Sequence, residues 1–400
     1  MLNKNQNTFF QLNRFNFIPF IEGLDIFLNF SIVTFLSIFF LAEYDDKFSL
    51  PIIIFTICLS FFSRIFYVPI LNRLTYFIKK EKINLLYILS TVYLIPVFLP
   101  SSFIIVSFFI FILCRLCLGI LFSSVNFSYL SSHLDKNEDS YFIKYSLLII
   151  LGMVLGSFFY LFIDDFFSNN QLNEWAWKAT YVLLFLITTV ICLVLKFKNR
   201  SIYIVLKPID SFNEQLSLRK VKKIFFKNIY ILISLLSFIF FSSNRWLPKF
   251  ANPENMQFLE FNIVFIMIIF LISMFIFPLI KLVGKKRLTN FLGFSIVIIC
   301  FISFFFEYSS SYSIDLLKFF IALVSSFSMC IFFINTKNLR DFGIINAYFI
   351  QNLYFLVLSI ISPLLFYYFI NNSISYNVIY LTIGLFFVVS LAFTFYVKEK

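Results

Sequence analysis

Long apolar runs separated by short polar loops dominate the sequence from residue 17 to residue 396. A bilayer core is crossed by about 20 largely apolar residues in helical form, and most of the runs have that length. Strands of a membrane β-barrel would be about ten residues long with alternating polarity, and that pattern is not seen. The runs predict twelve transmembrane helices near 17–42, 51–72, 83–100, 103–130, 142–163, 177–195, 229–248, 259–280, 288–306, 312–334, 343–369 and 376–396.

The longest polar stretch, 196–227, divides the spans into two sets of six. It carries nine Lys or Arg residues against Asp210 and Glu214. We therefore expect an all-α polytopic membrane protein with an N-terminal six-helix bundle (1–195), a basic cytoplasmic linker (196–227) and a C-terminal six-helix bundle (228–400). Two bundles of this kind suit a binding site at their interface, near the bilayer midplane.

Composition excludes a soluble protein. Hydrophobic residues make up 61% of the chain and charged residues 13%, about half the charged fraction of a soluble domain. The net charge of +12 comes from basic residues in the loops, so it reports topology and not a nucleic-acid partner. The run after residue 17 is long and contains Glu22 and Asp25, which predicts a retained first span and not a cleaved signal peptide.

Topology follows from the distribution of Lys and Arg. With a cytoplasmic N-terminus, 25 of the 32 basic residues fall in cytoplasmic segments, 5 fall in outer loops and 2 lie within spans. This asymmetry fits the positive-inside rule for an even number of spans. We expect a multi-pass protein of a bacterial inner membrane with both termini in the cytoplasm, and we expect a monomer.

Ionisable residues inside spans are the strongest functional candidates, because each is costly unless it faces a partner or a cavity. Glu22 and Asp25 lie one turn apart on the first span, and either they form a proton-titrating pair or they pair with Arg64 to hold helices together. Arg64, in the second span, lies nearer the cytoplasmic boundary and can extend toward the interface, which favours a structural role. Arg115, near the middle of the fourth span, is either a fixed cation for a carboxylate or an interhelical hydrogen-bond donor.

Other residues carry weaker signals. Asn126 and Gln351 are polar residues of spans 4 and 11, either lining the cavity or packing helices. Gly152 and Gly156 form a small-xxx-small pair that favours close helix packing. His133 has acidic neighbours but reads as a solvated loop residue. Cys114 and Cys117 have metal-ligand spacing without further ligands, so we expect no metal site and no cofactor.

Several motifs resemble one family. They are Glu22-Gly23-Leu24-Asp25, Arg64, Arg115-Leu116-Cys117-Leu118-Gly119, Trp175-Ala176-Trp177-Lys178 and Arg340 with Gly343, Tyr348 and Pro363. They are similar to motifs of the metabolite:proton symporters of the major facilitator superfamily, which carry proline or betaine, shikimate and dicarboxylates. Departures include Asn72 and Tyr76 in the loop after span 2, which lacks the family's aspartate, and Leu118 in place of a glutamine.

The resemblance implies a proton-coupled carrier of a small organic acid, amino acid or betaine that works by alternating access. A siderophore importer or exporter of the same fold is the alternative within the class. Two readings of other classes also stay open: a membrane sensor that no longer transports, and a membrane-embedded transferase acting near His133. The implied partners are a small solute, a proton and the lipid bilayer.

Overall fold

The structure, a computed structural model, describes residues 17–44, 46–81, 85–134, 139–197 and 282–305, with scattered positions between 268 and 388. The described part is helical. The helices are α1 Ile18–Ser31, α2 Val33–Leu41, α3 Asp46–Glu81, α4 Leu85–Leu94, α5 Ile104–Leu134, α6 Asp139–Phe166, α7 Asn169–Glu174, α8 Ala179–Phe197 and α9 Lys285–Phe305.

Five helices of the described residues are long and apolar enough to cross a membrane, and the bent pair α1–α2 makes a sixth if it forms one span. The five membrane-crossing segments are Phe48–Ile65, Ser101–Ser124, Leu147–Phe166, Ala176–Val194 and Arg287–Phe305. They overlap the predicted spans 2, 4, 5, 6 and 9. The linker beyond residue 197 and the predicted spans 7, 8, 10, 11 and 12 lie wholly or mostly outside the described residues, so the division into domains stays a prediction.

The first span is two helices and not the single helix predicted over 17–42. α1 and α2 meet at Ile32 with a bend of 58°. No proline or glycine lies at the bend. Instead, the Asn29 side-chain amide donates to the Asp25 carbonyl (2.7 Å) and the Ser31 hydroxyl donates to the Phe27 carbonyl (2.9 Å). Side chains that bond the carbonyl four residues earlier compete with the helical ladder and bend helices.

The third predicted span is also irregular. Over 83–100, the structure has α4 followed by a 3-10 turn at Ile95–Phe98, and Pro100 then separates this turn from α5. Proline cannot donate a backbone hydrogen bond, which ends the regular helix here. The carbonyl of Leu99 accepts a hydrogen bond from Lys178 Nζ at 2.6 Å, so the 3-10 turn just before α8 contacts this irregular segment.

Three helix pairs form the framework of the first bundle: α1 packs on α6, α3 on α5, and α4 on α8. Glycines bring two of these pairs into backbone contact. A Cβ atom on Gly23 would lie 2.0 Å from the Ile149 carbonyl oxygen, and one on Gly119 would lie 1.9 Å from the Ser60 carbonyl oxygen. Small residues in membrane helices permit this close approach.

An aromatic cluster closes one end of the bundle. The buried Trp177 ring packs against Phe39, Phe40 and Tyr181, with ring centroids 5.1 to 6.0 Å apart. α7, which begins at a capping box between Ser168 and Gln171, packs on α2 at the same end. The end of α2, the short helix α7 and the start of α8 therefore meet on one side of the bundle.

Candidate functional site

The four charged residues predicted inside the spans all point into the first bundle. Glu22 and Asp25 lie on α1, Arg64 on α3 and Arg115 on α5, and each side chain is at most 4% exposed. Two carboxylates and two guanidiniums sum to zero formal charge. Burial of this kind is tolerated only when each charge has a partner in good geometry.

Asp25 and Arg115 form a bidentate ion pair. Arg115 Nη1 lies 2.9 Å from Asp25 Oδ1, and Nη2 lies 3.1 Å from Oδ2. The planar guanidinium matches the planar carboxylate, which makes this the strongest arrangement available to the two groups. The pair joins α1 to α5 through the interior of the bundle.

Helix α3 holds the rest of the guanidinium. Arg115 Nη2 donates to the Ser60 hydroxyl at 3.1 Å, and Nε and Nη2 approach the Ile57 carbonyl at 3.4 and 3.3 Å. Gly119 makes this possible, because it lets α5 approach the Ser60 backbone closely. The arginine therefore has partners on α3 that do not depend on Asp25.

The Asp25 carboxylate also accepts a hydrogen bond from its own helix. Asn29 Nδ2 donates to Asp25 Oδ1 at 3.0 Å, and the Tyr181 hydroxyl of α8 donates to Asn29 Oδ1. Tyr93 of α4 is fully buried, and its hydroxyl lies close enough to Asp25 and Arg115 to interact with both. Residues of α1, α4, α5 and α8 thus surround this carboxylate.

Glu22 and Arg64 form the second ion pair, which joins α1 to α3. The Arg64 guanidinium also lies 4.7 Å from the Phe61 ring centroid and 5.5 Å from that of Phe122. The expectation that Arg64 extends to the membrane interface is wrong: its side chain is 4% exposed and turned inward. An acidic partner on α1 and two aromatic faces stabilise the inward orientation.

The ion pairs distinguish Glu22 from Asp25, which the sequence analysis treated as one pair. Glu22 pairs with Arg64 and Asp25 pairs with Arg115, so a different arginine holds each carboxylate. The backbone of Asn126 and His133 lies in α5, but their side chains are outside the described residues, as is Gln351. Of the two cysteines, Cys114 is buried and Cys117 exposed. The described residues contain no group of three or more His, Cys, Asp or Glu side chains suited to a metal.

Sequence reasoning missed Asn29, Ser60, Tyr93 and Tyr181. One of them had a signal: Asn29 lies four residues after Asp25, which places both on one helix face. Ser60 and the two tyrosines are polar or half-polar residues in apolar runs, without a local pattern. Tyr181 is 152 residues from Asn29 in sequence, so only the fold brings the two together.

No protein-family model matches this sequence, and no curated protein matches it either. Solved structures do match. A D-xylose–proton symporter aligns with a TM-score of 0.65 and 14% identity over 94% of this chain and 95% of its own. The xylose transporter from E. coli in a partially occluded inward-open conformation aligns with a TM-score of 0.61, 14% identity and coverage of 92% and 94%.

The fucose:proton symporter of E. coli aligns with a TM-score of 0.51 and 15% identity over 95% of this chain and 98% of its own. Another xylose symporter structure among the matches is described as a member of the major facilitator superfamily. The chain has the major facilitator fold. At this level of identity the comparison fixes the architecture, and the residues of the site must carry any argument about function.

Proposed function

We propose that this protein is a proton-coupled secondary transporter that moves a small polar solute across a bacterial inner membrane by alternating access. The observation that carries the proposal is the buried, bidentate Asp25–Arg115 pair. An ionisable pair in a membrane interior is costly to keep, and it marks proton or substrate pathways in pumps and transporters. The major facilitator fold, with solved structures of proton symporters among its members, supports the same assignment.

The chemistry available to the pair is proton exchange at the Asp25 carboxylate. As a carboxylate, Asp25 accepts both hydrogen bonds from Arg115 and so fastens α1 to α5. A proton on Asp25 removes its charge and most of the attraction to the guanidinium. Arg115 then keeps its contacts with Ser60 and Ile57 of α3, and its freed donors are available to a solute. Protonation thereby changes both the helix contacts and the binding site.

The solute class is an organic acid, an amino acid or a betaine, on the family resemblance of the sequence. The neutral balance of Glu22, Asp25, Arg64 and Arg115 does not select strongly for either sign of charge. Because the similar solved structures include xylose and fucose symporters, these sugars belong in the same test panel. Metabolite profiles of a deletion strain and its parent, inside and outside the cell, select the solute to reconstitute.

Asp25→Asn tests the coupling. In proteoliposomes with an imposed proton gradient, we expect the variant to lose uphill accumulation of the solute and to retain counterflow exchange, because only the proton step is removed. Asp165→Asn, at the exposed end of α6, is the matched control and should accumulate solute like wild type. An Asp25→Asn protein that accumulates solute normally contradicts the proposal, and solute binding without any transport would favour the sensor alternative.

A further inference from the structure

Asn29 gives the Asp25 carboxylate a hydrogen-bond donor on its own helix, besides the two guanidinium nitrogens of Arg115. Asn29 Nδ2 donates to Asp25 Oδ1 at 3.0 Å and to the Asp25 backbone carbonyl at 2.7 Å. Both residues are about 2% exposed or less, so solvent does not offer an alternative donor in this arrangement. A donor held against a buried carboxylate favours the ionised form over the protonated one.

Tyr181 holds the far side of the Asn29 amide, away from Asp25. The tyrosine hydroxyl donates to Asn29 Oδ1, while the amide nitrogen donates to the carboxylate, which can only accept. A rotated amide would present its oxygen to Asp25 and its nitrogen to the hydroxyl. That arrangement would leave an oxygen facing a carboxylate, which is unfavourable in a buried site. α8 therefore acts on the carboxylate through Asn29.

We propose that Asn29 is a positioning residue of the proton site and that Tyr181 holds it in place through the amide oxygen, so that the pair sets the pH at which Asp25 exchanges its proton. The inference rests on the proposed function, in which Asp25 is the proton-exchanging group. It adds to that function two residues that never need to touch the solute. It also explains why two polar residues with no membrane-facing role are buried next to Asp25.

The other groups around Asp25 are known and remain in place in the variants. Arg115 of α5 faces the carboxylate directly, Tyr93 of α4 lies beside it, and Cys114 of α5 adjoins Tyr181. On α3, Ser60 holds the guanidinium and not the carboxylate. The described part of α6 packs on the opposite face of α1, where Gly152 meets Phe20 and Leu24 and Gly156 meets Leu24 and Phe27.

Infrared difference spectroscopy on the purified, full-length protein tests the proposal without a known solute. The carbonyl stretch of protonated Asp25 is followed through a pH titration, and its assignment comes from its loss in Asp25→Asn and its retention in Glu22→Gln. Asn29→Leu should move the midpoint about one unit to higher pH, equivalent to ~1.4 kcal/mol of lost preference for the ionised form. Tyr181→Phe should move it in the same direction by about half as much.

Two comparisons separate positioning from a merely structural role. Tyr160→Phe removes one hydroxyl from another buried tyrosine, whose hydroxyl contacts Asp164 and not the Asp25 network, so its midpoint should equal that of wild type. The double variant Asn29→Leu/Tyr181→Phe should shift no further than Asn29→Leu, since Tyr181 acts through Asn29.

Each outcome decides the matter. If the Asp25 band titrates but neither variant moves its midpoint, the positioning role is overturned while proton exchange at Asp25 stands. If Asn29→Leu shifts the midpoint and Tyr181→Phe does not, the role of Tyr181 is overturned. If no band assignable to Asp25 titrates in wild type, the proposed function and the inference fall together.

Discussion

Arg115 uses its planar shape as well as its charge. Two of its nitrogens meet the two oxygens of Asp25, while Nη2 also reaches Ser60 on α3. Lysine keeps the positive charge, but its single nitrogen cannot span both oxygens and the serine hydroxyl at once. Replacement of Arg115 by lysine therefore keeps the positive charge but removes the bidentate contact with Asp25.

Arg115→Lys should lower the transport rate about 10- to 100-fold, the effect of losing one charged hydrogen bond of about 1.5–3 kcal/mol. Initial rates of uptake in proteoliposomes measure it. Membrane abundance and the melting temperature in detergent should stay close to wild type, because the ion pair persists. A lysine variant that transports at the wild-type rate would remove Arg115 from the proposed site.

For individual residues, the sequence identifies the charged side chains inside the spans well, but it does not identify the residues with which they pair. Glu22, Asp25, Arg64 and Arg115 stand out because any charge within an apolar run is costly. Which acid pairs with which arginine could not be predicted, since it depends on how far each helix is rotated about its axis. The hydroxyl and amide groups that complete the network had still less signal, because serine, asparagine and tyrosine are tolerated in spans for many reasons.

Among the elements, the α1–α6 contact includes two glycines of α6 besides Gly23 of α1. A Cβ atom on Gly152 would lie 2.1 Å from the Phe20 carbonyl oxygen, whereas one on Gly156 would lie 3.3 Å from side-chain atoms of Phe27. The 2.1 Å contact with a backbone oxygen is relieved only by moving a whole helix, whereas the 3.3 Å contacts with the Phe27 side chain need a shift of only a few tenths of an ångström. The two positions of the small-xxx-small motif are therefore unequal.

Gly152→Ala should destabilise the protein by more than the 1–3 kcal/mol typical of overpacking, and Gly156→Ala by less than that range. Thermal melting of the two purified variants in the same detergent compares them directly. Equal melting temperatures, or a lower value for Gly156→Ala, would contradict the close α1–α6 packing.

Hydrophobic run length predicted five of the six N-terminal spans, with the bent pair α1–α2 counted as one, but it did not predict their internal shape. The third, Leu86–Phe98, is a shorter apolar helix. A count of apolar residues predicts one helix over 17–42, because no proline or glycine lies near Ile32 to indicate a break. The bend arises where Asn29 and Ser31 bond earlier carbonyls, and the same side chains on a straight helix would leave the same sequence pattern. The end of the third span at Pro100, by contrast, could be predicted from the sequence, because proline interrupts a helix.

For the whole molecule, the direction of insertion is the feature that the charge distribution predicts. Reporter fusions near Asp210 and at the C-terminus should report the cytoplasm, and fusions near Asp45 and Asn169 should report the outer side. The contacts of α2 with α7 and of Lys178 with Leu99 agree that the segments near 45 and 169 share one end of the bundle. Reporters at 45 and 210 on the same side would contradict the twelve-span topology.

The zero net charge of the buried site has a consequence for the energy source. With Asp25 ionised, the charges of the two acids and two arginines cancel. The conformational change that reorients the empty site then moves no net charge, so it does not depend on the membrane potential. With a proton on Asp25 and an uncharged solute, the site carries one positive charge, and an inward-negative potential contributes about 2.3 kcal/mol per 100 mV to its movement. Accumulation of a neutral solute should therefore respond to voltage at constant pH, whereas a monovalent anion carried with one proton should not.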